Sequence, residues 1–383
     1  MFDAARQAER ASGLLLAALR EPARLGDLRA ADWNLLLRVA RHARLLGRLA
    51  EDVADAGLWS TVPERAARQL QSARTLVAHR QIRLTWEVDR VLWVLQDLDV
   101  PVIVLKGVAY MLAGLPAARG RLASDVDLMV PESDLAAVES QLLERGWIRG
   151  AIEYYDDRYY RRWMHEIPPL RHAERDTEID VHHRILPRTS RFHFDPALLI
   201  ARISRVPGGR AYRLAAEDMV LHALVHLLLE ADPQEGLRFR DLVDVADLLR
   251  QFGKDPAFWD RLLVRAEQLG LGRLLYYGLR YTAALLGTQV PAAALQGVAS
   301  QGPVLPLRWL MDRLIPLALL PEHPDHPRRR AAFSRLLLYM RAHWLRMPPI
   351  LLFQHLGSKA LRRIGVRSLS RPPIAVEERF QRR

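Results

Sequence analysis

Apolar residues recur at three- and four-residue spacing in Leu14 to Leu19, Trp33 to Leu49 and Leu70 to Leu98, with Gly57 and Pro63 as punctuation. That period predicts helices over residues 1 to 97. At Val100 the pattern changes: Pro101-Val102-Ile103-Val104-Leu105 is a short apolar, β-branched run of the buried-strand type. Lys106-Gly107 ends it, and Val108 to Leu115 reads as a helix opening at the glycine. A loop, Pro116 to Ser124, leads to a second strand, Asp125 to Val130. Beyond Pro131, Ser133 is the expected N-cap of a helix through Glu144, which stops before Gly146. Trp147 to Leu170, rich in aromatic and charged residues, has the composition of two strands, and Glu178 to His183 alternates again with period two. From Ala215 the helical period returns in Glu217 to Glu230, Phe239 to Phe252 and further segments through Leu361, broken at Pro321 to Pro327 and Pro348-Pro349. From Gly365 the chain reads as a flexible basic tail.

These changes of period predict an α+β chain in which a small mixed β-sheet core is flanked by N-terminal and C-terminal helical regions. The expected divisions are a helical region at 1–97, the core at 98–214, a helical domain at 215–364 and the tail at 365–383.

With 383 residues, 50% of them apolar and 26% charged, the composition is that of a globular protein with a sizeable core. There is no cysteine, which excludes disulfides, thiolate metal ligands and a cysteine nucleophile and suits a reducing compartment. Met1 to Arg10 lack the basic-then-apolar pattern of a secretory signal, and no apolar run reaches the roughly 20 residues that span a bilayer. A cytoplasmic location is the expectation. The net charge is +12, yet Pro327 to Arg383 carries 14 Lys or Arg against Glu377 and Glu378, so residues 1–326 are formally neutral. That distribution disfavours a diffuse polyanion-binding face over the body of the protein.

Candidate chemistry starts at Asp125 and Asp127. Side chains alternate along a strand, so both carboxylates share a face while Val126 and Leu128 point to the core. Two like charges so close are best tolerated where cations join them, and hard divalent ions on oxygen ligands are the usual candidates. Asp180 and His182 share a face of the later alternating strand in the same way. Lysine is rare in the chain: of Lys106, Lys254 and Lys359, one immediately precedes Gly107. Arg121, four residues before Asp125, has two equal readings, a phosphate contact or a loop clamp on a carboxylate. His222 and His226 share a helical face without the glutamate of a zinc-protease motif, and read as core or site-wall histidines. Asp244, in an apolar helical stretch, needs a partner such as Arg238, Arg240 or a site group.

Taken in order, Leu105-Lys106-Gly107, Arg121, Asp125-Val126-Asp127-Leu128 and Ile179-Asp180-Val181-His182 resemble a bacterial nucleotidyltransferase family of the polymerase-beta-like superfamily, over roughly Trp33 to Arg250. The resemblance implies a two-metal, NTP-dependent enzyme that moves a nucleoside monophosphate to a hydroxyl acceptor and releases pyrophosphate. Asp125, Asp127 and Asp180 would be catalytic and hold Mg²⁺ or Mn²⁺, with Asp180 beside the acceptor as ligand or base. Lys106, Gly107, Arg121 and His182 would serve the nucleotide, with ATP the expected NTP and His182 supporting a ligand carboxylate. The superfamily usually has Gly-Ser or Gly-Gly at the turn. Here Gly107-Val108 lacks the hydroxyl, and the Lys106 charge would stand in for it.

The neutral body favours a small molecule, peptide or protein over long nucleic acid as acceptor. Two rival accounts make the chain non-catalytic: a nucleotide-binding or antitoxin-like protein, or an adaptor. In the latter, a basic C-terminal segment (Arg335, Leu336, Leu337, Leu338, Arg341, Trp344, Arg346) contacts a membrane surface or RNA. A charged solvated face is the plainer reading of that segment.

Overall fold

The computed structural model describes residues 2–150, 160–175, 177–230, 237–325 and 327–348. Part of the aromatic stretch before Leu170 and the basic tail therefore lie outside the described residues. Helices α1 (Phe2–Arg20), α2 (Ala30–His42), α3 (Leu46–Asp55) and α4 (Glu64–Val94) form the N-terminal region. In α4 the buried positions Ala66, Leu70, Val77, Leu84, Val88 and Val91 repeat at three, four and seven residues, one apolar stripe along a helix of 31 residues.

Next come β1 (Ile103–Val104), α5 (Lys106–Leu112), β2 (Val126–Met129), α6 (Leu135–Glu144), β3 (Trp147–Arg149), β4 (Leu170–His172), β5 (Glu178–His182), α7 (Ala197–Ile200), β6 (Ser204–Arg205) and β7 (Tyr212–Arg213). The strands make one seven-stranded sheet in the order β3-β4-β5-β2-β1-β7-β6. It is mixed: β1 runs antiparallel to β2, while β2 runs parallel to β5 and β1 parallel to β7. The two expected apolar runs, β1 and β2, occupy the centre, where both faces are covered and every residue is buried. Ser133 does not cap α6. The chain already turns into a 3-10 helix at Glu132–Asp134, so Ser133 lies inside that turn rather than ahead of it, and α6 begins after Asp134 with no side-chain cap bond.

Helices α8 (Ala216–Leu229), α9 (Phe239–Phe252), α10 (Ala257–Gln268), α11 (Gly272–Leu286), α12 (Ala292–Ala299), α13 (Leu305–Leu319) and α14 (Arg329–Arg346) follow. Nearly every residue of α8 is buried: its apolar side chains extend around most of the helix, and Glu217 and Asp218 are buried against Arg261 and Arg265. Buried apolar side chains from Ala11 in α1 to Ala342 in α14 form one contiguous core. In α14, Arg335 bonds Glu322 and Arg341 lies over the Tyr277 ring, so these basic groups serve the fold, while Phe333, Leu336, Met340 and Trp344 are exposed. No helix among the described residues is long and apolar enough to cross a membrane.

Two contacts hold the N-terminal helices over the sheet. Arg48 in α3 is nearly enclosed and bonds Asp52 at 2.9 Å and also Asp247 of α9. Beside it, Gly47 meets Gly120 backbone to backbone: a Cβ on Gly47 would lie 2.4 Å from the Gly120 carbonyl oxygen, closer than real Cβ contacts come. Gly47→Ala is therefore expected to lower stability by about 1–3 kcal/mol, because neither backbone can yield without moving α3. Gly13→Ala in α1, where nothing lies within 4 Å, should be neutral or stabilising by up to about 1 kcal/mol. The denaturant midpoints of the two variants, with unchanged m-values, check the pair.

Candidate active site

β2 and β5 lie side by side in parallel, with Asp127 and Asp180 as register partners and Val126–Ile179 and Leu128–Val181 on either side. The flanking apolar pairs are fully buried and fix this register, since a slip of one residue would turn them to the wrong face. Their burial forces the two aspartates onto the same face of adjacent strands. Asp125 lies one residue before β2 and is partly exposed. One carboxylate oxygen from each of Asp125, Asp127 and Asp180 lies within 4.8 Å of the other two.

Asp127 is 4% exposed. Its Oδ1 accepts a hydrogen bond from Lys106 Nζ at 2.8 Å and lies 3.2 Å from His182 Nε2. Both contacts fall on one oxygen, so neither occupies Oδ2. Burial alone would raise the carboxyl pKa, but Lys106 and His182 outweigh it and hold Asp127 well below the usual range. Burial likewise disfavours the Lys106 ammonium, and Asp127 and Glu230 beside it reverse the effect and keep it charged. Lys106 has φ of +48°, a left-handed conformation that a side chain adopts at a cost of about 1–3 kcal/mol. The Leu105 amide donates to the Asp127 carbonyl at 2.9 Å, tying this turn to β2.

Asp180 is in the opposite state. Its Oδ1 is buried without a hydrogen-bond partner. Burial first, then the neighbouring Asp127, Glu166 and Asp125 carboxylates, push its pKa up to about 9. Two acids on adjacent strands thus differ because only one has the Lys106 ammonium and the His182 ring against it. A buried oxygen with no donor, amid like charges, fits an oxygen-ligated divalent cation.

Arg121 does not reach the aspartate cluster by any contact among the described residues. Its Nε donates to Asp244 of α9 at 2.8 Å, and its guanidinium lies 5.8 Å from the Tyr110 ring centroid. Its Nη1 covers Gly107: a Cβ there would lie 1.9 Å from that nitrogen, so only glycine admits the clamp. Asp244 finds its partner in Arg121 rather than in Arg238 or Arg240, and Arg240 donates instead to the Leu122 carbonyl at 3.2 Å.

Behind His182 the polar groups continue. His182 Nδ1 is 3.4 Å from Glu166, His165 Nε2 is 3.5 Å from Glu230, and His226 lies between Glu230 (3.3 Å) and Asp241 (3.0 Å). His222 is buried nearby, and burial followed by the Lys106 charge holds it neutral, well below the usual histidine range. His183 faces away, toward Glu132 at 3.4 Å, and burial together with Arg188 lowers its pKa to about 4. Sequence reasoning reached His222 and His226 as wall residues but missed His165, Glu166, Glu230 and Asp241. The four-residue step from His226 to Glu230 was the available signal.

The raised pKa of Asp180 makes a pH prediction. Between the ordinary carboxylate range and about pH 9 the folded chain holds a proton that the unfolded chain has lost, so stability must fall as pH rises through that window. In chelator-treated protein, Asp180→Asn should remove this decline and raise stability at pH 8 by about 1–3 kcal/mol. Thermal unfolding across pH 5–9 is the measurement, and an unchanged slope would refute the assignment.

A model of the family described as uncharacterised nucleotidyltransferase matches residues 29–287, from the start of α2 through the close of α11. No curated protein and no solved structure matches the chain. The matched region spans the whole sheet, Lys106 and all three clustered aspartates. The chain belongs to this uncharacterised nucleotidyltransferase family.

Proposed function

We propose that the protein is a metal-dependent nucleotidyltransferase that moves a nucleoside monophosphate from an NTP, ATP being the expected one, to a hydroxyl acceptor. We place it in the polymerase-beta-like superfamily, with the catalytic core at 98–214 between the two helical regions. The single observation that carries the reading is the trio Asp125, Asp127 and Asp180, whose oxygens lie within 4.8 Å of one another. Three carboxylates on one face are costly unless cations join them, and this donor set is all oxygen. Mg²⁺ or Mn²⁺ held by Asp125, Asp127 and Asp180 would neutralise triphosphate charge and acidify the attacking hydroxyl.

The chain's own residues do the rest. Lys106, anchored on Asp127, presents a fixed positive charge at the start of α5 for the phosphates, and Gly107 makes room for the Arg121 guanidinium beside it. Arg121 holds the turn against α9 and lends a second charge to it. His182 orients Asp127. The acceptor oxygen bonds to the α-phosphorus, the bond from that phosphorus to the bridging oxygen of the β-phosphate breaks, and pyrophosphate leaves with the electron pair. The acceptor proton passes to Asp180, which must be ionised for this step: cations beside it would offset the burial and neighbouring carboxylates that otherwise keep it protonated. A small molecule, peptide or protein fits the neutral body better than long nucleic acid.

The test supplies each NTP, labelled at the α- or the γ-phosphate, with Mg²⁺ or Mn²⁺ and a cell lysate as acceptor source. Transfer of the α-label with release of pyrophosphate is expected, reduced at least about a hundredfold in Asp125→Asn and Asp127→Asn. Transfer of the γ-label would make the enzyme a phosphotransferase, and no transfer of either label would refute catalysis.

A further inference from the structure

Beside the aspartate trio lies a second group of donors of different chemistry. Glu166 pairs with His182 through an antiparallel bridge, and the Ile167 amide donates to the Val181 carbonyl at 3.0 Å. The His165 carbonyl accepts from the His183 amide at 2.9 Å, so this segment is pinned along β5 by its backbone. Cross-strand partners share a face, which brings Glu166 over His182. The His165 and His182 rings stack with centroids 5.2 Å apart. Glu230, at the end of α8, closes the group from the other side.

We propose that His165, Glu166, His182 and Glu230 form a binding site for a zinc-class transition-metal ion, distinct from the oxygen-only trio. One atom each from His165, Glu166 and His182 lies within 4.8 Å of the others. The neighbouring separations are 3.4 Å from His182 Nδ1 to Glu166, 3.9 Å from His165 Nε2 to Glu166 and 3.5 Å from His165 Nε2 to Glu230. An ion with tetrahedral bonds of about 2.0–2.2 Å sets its ligand atoms about 3.3–3.6 Å apart; two of these three separations lie in that range, the His165–Glu166 edge must tighten, and Glu230, reached through His165, must draw in as the fourth ligand. The independent sign of a ligand is His182 Nδ1. It belongs to a side chain 1% exposed, makes no hydrogen bond, and faces Glu166, while Nε2 of the same ring is against Asp127. Two imidazoles with two carboxylates is a donor set that suits zinc-class ions over Mg²⁺. Metal on Nδ1 would leave the proton on Nε2, where it donates to Asp127, so this ion would set the tautomer on which Asp127 rests.

The experiment uses the full chain without a histidine tag, stripped by chelator and titrated with Co²⁺ as spectroscopic probe and with Zn²⁺. One tightly bound ion per chain is expected, with the intense visible absorption of four-coordinate Co²⁺. His165→Ala should weaken that binding by more than about a hundredfold, and Asp125→Asn should leave it unchanged. Glu230→Gln, which keeps size and shape, gives the same reading should His165→Ala fail to fold, and circular dichroism checks both. Absence of Co²⁺ uptake, or uptake lost in Asp125→Asn and kept in His165→Ala, would overturn the site. Because the readout is metal content and absorption, its failure would leave the transferase reading standing, and the converse holds too.

Discussion

The parallel register that sets Asp127 beside Asp180 is the constraint from which the rest of this structure follows. It is imposed by apolar neighbours, Val126, Leu128, Ile179 and Val181, whose burial outweighs the repulsion between the two acids. With the backbone settled by hydrophobic contacts, electrostatics is left to the side chains. Lys106 and His182 settle Asp127, and nothing comparable settles Asp180. The asymmetry places one firmly ionised and one proton-retaining carboxylate on a single face. Only a cation placed beside the second would let it ionise as the first does.

The surrounding helices hold that face in position through arginine. In α9, Asp241, Asp244 and Asp247 recur every three residues, and each is engaged: by His226, by Arg121 and by Arg48 with Arg250. Arg121 comes from the loop before the aspartates and Arg48 from α3, so one acidic seam gathers the N-terminal helices and the site loop onto a C-terminal helix. Breaking any such buried pair strands a charge, which is costly out of proportion to what the pair contributes. The fork of guanidinium donors explains the preference for arginine over lysine in these places. A similar device fixes the β4–β5 turn, where Arg175 grips Glu87 through two bonds and stacks on Trp147 at 4.7 Å.

Much of the central fold was legible because its signals are local. The β-branched run ending at Leu105 and the alternation around Asp127 and Asp180 each identify a strand, and Phe239–Phe252 follows directly from its helical period. What was not legible depends on partners distant in the chain. Ser133 satisfies the rule for a cap, but the chain turns one residue earlier, at Glu132, whose carboxylate pairs with Arg184 and Arg188. Arg121 offered two roles, and its contact is with Asp244, more than a hundred residues later. His165 and Glu166 sit in a stretch whose aromatic and charged composition obscures any period, and they enter the site only because an irregular segment bonds to β5.

The order of strands also bears on how the chain assembles. β1 and β2 are close in sequence and antiparallel, so they can pair early, whereas β5 joins β2 only after about fifty intervening residues have been threaded through β3 and β4. The apolar centre of the sheet can thus form while Asp180 is still in solvent. In that order the crowding of the carboxylates comes with β5, after the β1–β2 pair, and its electrostatic cost does not bear on that first pairing. A chain built in this order could carry a strongly repulsive site without slowing the start of its folding.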